Sequence, residues 1–239
     1  MAEINLLDKY PKSKRPIEER GRRQLARNGW LQPRENADNE DILIDYKLLN
    51  IARKFGKEYF DGDRLYGYGG YYYHPKFWTE TVKRMRSYYN LADDAIVLDI
   101  GCAKGFMLYD FKLLMPKLNI AGLDISQYAY DHAMDEIRPF IKVGNGKNLP
   151  YTNNSFDLVI SINTIDHLPL EDCKQALSEI ARVAKKDAFI SVNAWRNERE
   201  REFLFKWNIT ALTVMHVDHW NKPFNEIGYK GDYWWCTYE

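Results

Sequence analysis

The chain has 239 residues and balances 34 basic against 34 acidic side chains, which leaves room for one α/β domain with extensions and gives no global field for nucleic acid or a membrane surface. Its three cysteines, Cys102, Cys173 and Cys236, are too few and too scattered for a disulfide framework or a metal-ligand cluster. No apolar run reaches the ~18 residues of a membrane span and no leader pattern is seen, so the expectation is a soluble cytoplasmic protein with no metal.

Residues 1–40 are irregular and charged. Between Lys9 and Arg34 nine basic residues face only Glu18 and Glu19. Such composition suits a solvated arm, or an arm that grips an anionic acceptor through Arg20, Arg22, Arg23 and Arg27. Asp41 to Phe60 reads as a helix, with Ile44, Leu48, Leu49 and Ala52 on one face. Tyr59 to His74 then packs six tyrosines and four glycines into 16 residues. That is too aromatic for a linker and too glycine-rich for a helix, so a lid is expected, with Tyr68, Tyr72 and Arg64 as its candidate contacts. Trp78 to Tyr89 is an amphipathic helix leading into the core.

Ile96 to Phe106 is the stretch that organises the chain. Ile96, Val97, Leu98 and Ile100 suit a strand buried on both faces, Gly101 and Gly105 make a turn, and Met107, Phe111, Leu114 and Met115 recur at helical spacing. Strand, glycine turn and helix open a nucleotide-binding α/β fold. A pyrophosphate site wants three glycines, yet Ala103 stands where the middle one would be, and Asp99 precedes the turn. An acid there repels phosphate and suits a ligand ammonium. A second strand, Asn119 to Leu123, ends in Asp124, whose carboxylate can accept hydrogen bonds from both hydroxyls of a ribose. Ribose, glycine cradle and ammonium together describe S-adenosylmethionine better than a nicotinamide dinucleotide.

Further along, Ser126 is an N-cap for a helix to Ile137, closed by Pro139. Strands are expected at Phe140 to Val143 and Phe156 to Ile162. The latter leads into Asp166-His167, placed where ligands of open α/β sheets bind. An Asp-His pair there is a candidate general base, though a structural histidine that packs the loop is the default reading. Leu170 to Lys185 is amphipathic, with Cys173, Ala176, Leu177, Ile180 and Ala184 inward. A strand at Phe189 to Val192, a helix from Glu198 to Asn208, an extended run from Thr210 to Val217, a helix to Ile227 and an aromatic strand at Asp232 to Tyr238 complete the chain. His216 and His219 fall in the insertion before the last helix, and His216 is kept as a further base candidate.

Asp99-Ile-Gly101-Cys-Ala-Lys-Gly105, Gly122-Leu-Asp124 and Asn148-Leu-Pro-Tyr with Phe156-Asp-Leu-Val-Ile-Ser161 resemble class I S-adenosylmethionine-dependent methyltransferases, in the branch of ubiquinone-type and small-molecule enzymes. The resemblance covers roughly Val97 to Val192. It implies a Rossmann-like, mostly parallel sheet of six or seven strands between helices. The expected division is a basic arm at 1–40, a helical and Tyr/Gly-rich lid at 41–90 and the cofactor-binding domain at 91–239. The implied cofactor is S-adenosyl-L-methionine, contacted by Asp99, Gly101, Gly105, Asp124, Ile125, Asn145, Ser161 and, from the lid, Tyr72. Asn145 departs from the aspartate frequent at its position but still accepts through its amide oxygen. The expected activity is O-methylation of a small polar, anionic metabolite, with His167, His216 or Asp166 as base if the acceptor is a hydroxyl. A methyltransferase of nucleic acid or protein, and a non-catalytic cofactor-binding protein, are the alternatives; the neutral chain disfavours nucleic acid as partner.

Overall fold

The computed structural model describes residues 1–7 and 46–237. The basic arm from Lys9 to Arg34 and the start of the helix expected from Asp41 lie outside those residues.

Seven strands form one sheet: β1 (Ile96–Ile100), β2 (Asn119–Asp124), β3 (Ile141–Val143), β4 (Phe156–Ile162), β5 (Ala184–Trp195), β6 (Met215–His216) and β7 (Asp232–Cys236). They run in the order β3-β2-β1-β4-β5, and the far edge of β5 is shared. β7 pairs along Phe189 to Asn193, and β6 takes over at Ala194 and Trp195. Every pairing between strands is parallel.

The strands are apolar without alternation because both faces are covered. Successive side chains still point to opposite faces. Val97, Leu158, Ile160 and Phe189 join the core that holds Val82, Met85, Leu108 and Phe111. Leu98, Ile100, Val159, Ile190 and Val192 join the core of Cys173, Leu177, Ile180, Trp220 and Phe224 on the other side. Four helices supply these partners: α3 (Thr79–Tyr88) and α4 (Phe106–Leu114) on the first face, α6 (Leu170–Val183) and α8 (Val217–Ile227) on the second. β1 has β2 on one side and β4 on the other. The chain therefore reverses its winding there, and a crevice opens beyond the carboxyl ends of β1 and β4.

Several expected elements come out differently. The helix expected over Asp41 to Phe60 is broken into α1 (Tyr46–Ala52) and α2 (Lys57–Phe60). Phe55 sits between them with a left-handed φ of +49°, so no helix passes through it. The helix expected from Ser126 to Ile137 is only α5 (Gln127–Asp131). Ser126 does cap it, its Oγ accepting the Ala129 N–H at 2.9 Å. Beyond it the chain turns so that Ala133 and Ile137 are buried in the core. α6 stops at Val183, and Lys185 belongs to β5, which is 12 residues long rather than four. Of the extended run expected over 210–217, only Met215 and His216 are paired. α7 (Glu198–Trp207) follows its expected bounds to within a residue. The first residues are not irregular throughout. Glu3 bridges in parallel to Tyr233, the Ile4 N–H donates to the Tyr233 carbonyl at 2.8 Å, and Leu6 is buried.

Candidate active site

The cofactor end is built by the turn between β1 and α4. Gly101, Ala103 and Gly105 take φ values of +82°, +49° and +77°. A Cβ on Gly101 would lie 2.0 Å from Thr164 Oγ1, and one on Gly105 would lie 2.6 Å from Ile137 Cγ2. Both glycines are therefore required twice over, by backbone sign and by space. Ala103 occupies a left-handed position that costs an alanine about 1–2 kcal/mol. Its N–H donates to Asp124 Oδ2 at 2.7 Å, which offsets that strain.

Asp124 ends β2 and is 8 % exposed. The Ser126 N–H donates to its Oδ1 at 2.8 Å. Burial pushes this carboxyl above its usual range, and the N–H groups of Ser126, Ala103 and Ile125 oppose the push. Asp99 lies beside it, 4 % exposed and pushed up to about 8 by burial and by the charge on Asp124. Two adjacent buried acids call for a cation. The nearest lysine does not serve, because Lys104 Nζ is held by Asp61 Oδ2 and the Tyr71 carbonyl, each at 2.7 Å. A ligand ammonium with ribose hydroxyls supplies the missing charge and donors, whereas a pyrophosphate would add repulsion. The residues present fit S-adenosylmethionine.

The remaining expected contacts are dispersed around this pair. Ile125 is 54 % exposed directly after Asp124, an open apolar surface beside that acid. Asn145 is partly buried, and its Oδ1 accepts the Lys147 N–H at 3.0 Å. Ser161 is fully buried at the end of β4, its Oγ without a partner, and pairs with Ile100 in the sheet. Tyr72 is 70 % exposed. The ring that reaches the turn is its neighbour Tyr71, stacked on Phe106 with centroids 5.0 Å apart.

The Tyr/Gly-rich segment lies as a strap over this end. Asp61 gathers Lys104 Nζ, the Tyr128 hydroxyl at 2.8 Å and the Tyr71 N–H at 2.9 Å. Burial works to raise the Asp61 carboxyl, but these donors outweigh it and hold it below its usual range. The Tyr73 hydroxyl donates to Asp110 Oδ1 at 2.6 Å, and Thr79 Oγ1 to Asp110 Oδ2 at 3.0 Å. Sequence reading missed Lys104, Asp61, Tyr71 and Asp110. A lysine inside the glycine turn was the one visible signal; its partner, 43 positions upstream, is found only by folding.

The other end of the crevice is assembled from four separate segments. His167 closes a 3-10 turn after β4. Its ring stacks on Phe55 at 5.5 Å with planes 8° apart, and its Nε2 is 3.4 Å from Thr210 Oγ1. Burial pulls this imidazole below its usual value, the charge on Asp166 raises it and that on Arg53 lowers it further, so it is neutral at neutral pH. Asp166 is fully buried and bonds elsewhere. Its Oδ2 accepts from the Asn193 N–H at 3.1 Å and from Asn193 Nδ2, and its carbonyl accepts from Leu212 and Thr213, each at 2.9 Å. It is a pin between loops. His216 caps α8. Its Nδ1 accepts the Asp218 N–H at 3.3 Å and its Nε2 lies 3.2 Å from the Arg196 carbonyl, so both ring nitrogens are engaged.

A parallel sheet reversing at β1, with a glycine turn beyond its carboxyl end, is the Rossmann-like fold of class I methyltransferases. Residues 98–192 match the family described as methyltransferase domain, a match that implies S-adenosyl-L-methionine as the cofactor. The chain is 32 % identical over 136 residues to a tRNA (carboxymethyluridine(34)-5-O)-methyltransferase of Arabidopsis thaliana, a match of 56 % of this chain and 32 % of that protein. It is 34 % identical over 103 residues to a demethylmenaquinone methyltransferase of Lactobacillus johnsonii, covering 40 % of this chain and 41 % of the relative. The matched stretches thus span between about a third and two fifths of the length of these relatives. Among solved structures, the YcgJ protein of Bacillus subtilis superposes with a TM-score of 0.51 at 18 % identity, over 61 % of this chain and 66 % of that one. A complex of the Haloferax volcanii Trm112 methyltransferase activator with a methyltransferase superposes at 0.50 and 21 % identity, over 62 % and 71 %. At such identities the likeness is one of fold. No helix among the described residues is long and apolar enough to cross a membrane.

Proposed function

We propose that the chain transfers a methyl group from S-adenosylmethionine to a hydroxyl oxygen of a small, anionic metabolite, with His167 as general base. The observation that carries this reading is a neutral, half-enclosed imidazole at the carboxyl end of β4, across the crevice from the paired acids. When bound, the cofactor supplies a methyl group on a positively charged sulfur, which needs little further activation. Asp124 holds the ribose hydroxyls and Asp99, once ionised, holds the ammonium. The strap residues Tyr71 and Tyr73 keep water from the turn. The acceptor hydroxyl gives its proton to His167 as its oxygen takes the methyl group, so transfer leaves an ether and an imidazolium. Most of the rate then comes from holding acceptor and donor in line. Asp166 Oδ2 and both ring nitrogens of His216 are held in structural bonds, Asp166 Oδ1 is buried without a partner, and neither residue is assigned a proton-transfer role.

The second reading is a modified nucleoside in RNA, favoured by the function of the plant relative and by the basic run between Lys9 and Arg34. A turnover screen with labelled donor separates the two. Phosphate- or carboxylate-bearing alcohols should be methylated and total tRNA should not; the reverse result replaces the first reading. His167→Gln should lower kcat by about 10²–10⁴ with unchanged affinity for S-adenosylhomocysteine.

A further inference from the structure

Among the described residues, two of the cations near the crevice are engaged. Lys104 is paired with Asp61, and Arg64 Nη1 donates to the carbonyls of Gly67 and Tyr68 at 2.6 and 3.0 Å. Arg53 differs. Its Nε is buried with no hydrogen-bond partner, and among the described residues its side chain forms no ion pair. Among the described residues, burial is the influence found on its guanidinium and no carboxylate offsets it. Arg53 as a whole is partly exposed, so its guanidinium keeps its proton, but the buried Nε–H is left without an acceptor, which is costly.

Its setting is rigid. Arg53 follows the last turn of α1, its N–H donating to the Leu49 carbonyl at 2.8 Å. Leu48, Leu49 and Ala52 pack on Ile209, the neighbour of Thr210. Two residues on, Phe55 reverses the chain, stacks on His167, and offers its carbonyl to Ser126 Oγ, the cap of the helix after Asp124. The same few residues therefore join the cofactor end to the imidazole. The charges acting on that imidazole are those of Arg53 and of Asp166, whose Oδ2 accepts from Asn193 while its Oδ1 is buried without a partner.

We propose that Arg53 is the anion-binding residue of the acceptor site, its guanidinium receiving a carboxylate or phosphate carried by the methyl acceptor beside His167. The proposal rests on the reading that the acceptor is a small anionic alcohol. A planar fork of N–H donors suits either oxyanion, and an anion held there fixes the rest of the acceptor relative to the imidazole. The four arginines of the N-terminal arm are then not needed for this contact.

The test uses the full chain saturated with S-adenosylhomocysteine, with inorganic phosphate and acetate as separate probes at constant ionic strength. The readout is the imidazole resonance of His167, assigned by its loss in His167→Gln. Phosphate or acetate should shift that resonance saturably and raise the imidazole pKa, because the anion offsets the charge of Arg53. The probe that binds more tightly identifies the oxyanion class. Arg53→Gln and Arg53→Met should each weaken anion binding at least tenfold while leaving the affinity for S-adenosylhomocysteine within twofold, and Arg53→Lys should retain part of the response. The proposal is overturned by an unchanged anion response in the folded Arg53→Gln or Arg53→Met protein, or by no saturable response in the wild type. It is also overturned if the loss appears instead on replacing Arg20, Arg22, Arg23 and Arg27 together. A short uridine oligonucleotide that binds more than a hundredfold more tightly than phosphate, with steep salt dependence and indifference to Arg53→Gln, overturns it in favour of RNA. Failure of the wild type to bind S-adenosylhomocysteine at all would sink the methyl-transfer reading itself, a result the anion titrations do not share.

Discussion

The two ends of the crevice are built in opposite ways. The cofactor end is nearly continuous in sequence: Asp99, Gly101, Ala103, Gly105 and Asp124 lie within 26 residues and are linked by backbone N–H groups. The acceptor end brings Arg53 and Phe55, His167, Asn193 and Thr210 together from four segments, mostly through side chains. A backbone-built site tolerates changes of side chain at its edge; a side-chain-built one changes specificity with a single substitution. One cradle can in this way serve many acceptors.

The largest effect that would break this contrast is at Asp124. Asp124→Ala removes the acceptor of two buried N–H groups as well as the proposed ribose contact. Stability should fall by about 3 kcal/mol, since each hydrogen bond to a charged group contributes about 1.5–3 kcal/mol. Affinity for S-adenosylhomocysteine should drop at least tenfold by calorimetry, while Asp124→Asn keeps more of the fold than of the affinity. Unchanged binding in Asp124→Ala would show that the acid is purely structural.

Next comes the pH dependence set by Asp99. Its carboxyl stays protonated in the free protein up to about 8. In the unfolded chain it ionises near its usual value, so between these two limits the folded state holds the extra proton. This group's contribution to stability therefore declines as pH rises through that window. Ligand binding runs the other way, because an ammonium favours the ionised acid. Affinity for S-adenosylhomocysteine should climb by up to about tenfold per pH unit below the folded pKa and level off above it. Calorimetry in buffers of different ionisation enthalpy should detect a released proton, and Asp99→Asn should flatten the curve. A flat curve in the wild type would remove the ammonium from this acid.

A smaller effect is expected in the strap. Lys104→Met deletes the ion pair to Asp61 but leaves Tyr128 and the Tyr71 N–H in place, at a cost of about 1–2 kcal/mol for a partly exposed pair. Limited proteolysis between Tyr59 and His74 should accelerate, and S-adenosylhomocysteine should slow it in both proteins. Identical cleavage with and without ligand would mean that the strap does not respond to the cofactor.

The smallest difference compares adjacent tyrosines. Tyr71→Ala loses the stack on Phe106, an interaction of about 0.5–1.5 kcal/mol beyond simple burial. Tyr72→Ala, at an exposed position, should change stability by less than about 0.5 kcal/mol. If thermal melts rank them in the reverse order, the strap seats on the turn by a different ring.

What the sequence determined by itself is the β1–β2 half of the crevice. Apolar runs at Ile96–Ile100 and Phe156–Ile162, glycines at 101 and 105, and acids at 99 and 124 are local patterns with local physical meaning: buried strands, a left-handed turn and two acids brought to adjacent strand ends. Even the substitution at Ala103 was visible, though its left-handed φ was not. Tertiary structure alone decided the rest. The break at Phe55 comes from its stack on His167 and the hydrogen bond from Ser126, contacts across more than 70 residues that no helical periodicity encodes. Asp166 reads as a base in sequence and is a pin in space because Asn193, 27 residues on, meets it in the neighbouring strand. Arg53 looks like one more helix-surface cation until the fold buries its Nε with nothing to bond. Backbone preferences are set by near neighbours and can be read in order. Whether a charge is paired depends on what the chain brings back to it, and only the folded molecule holds that information.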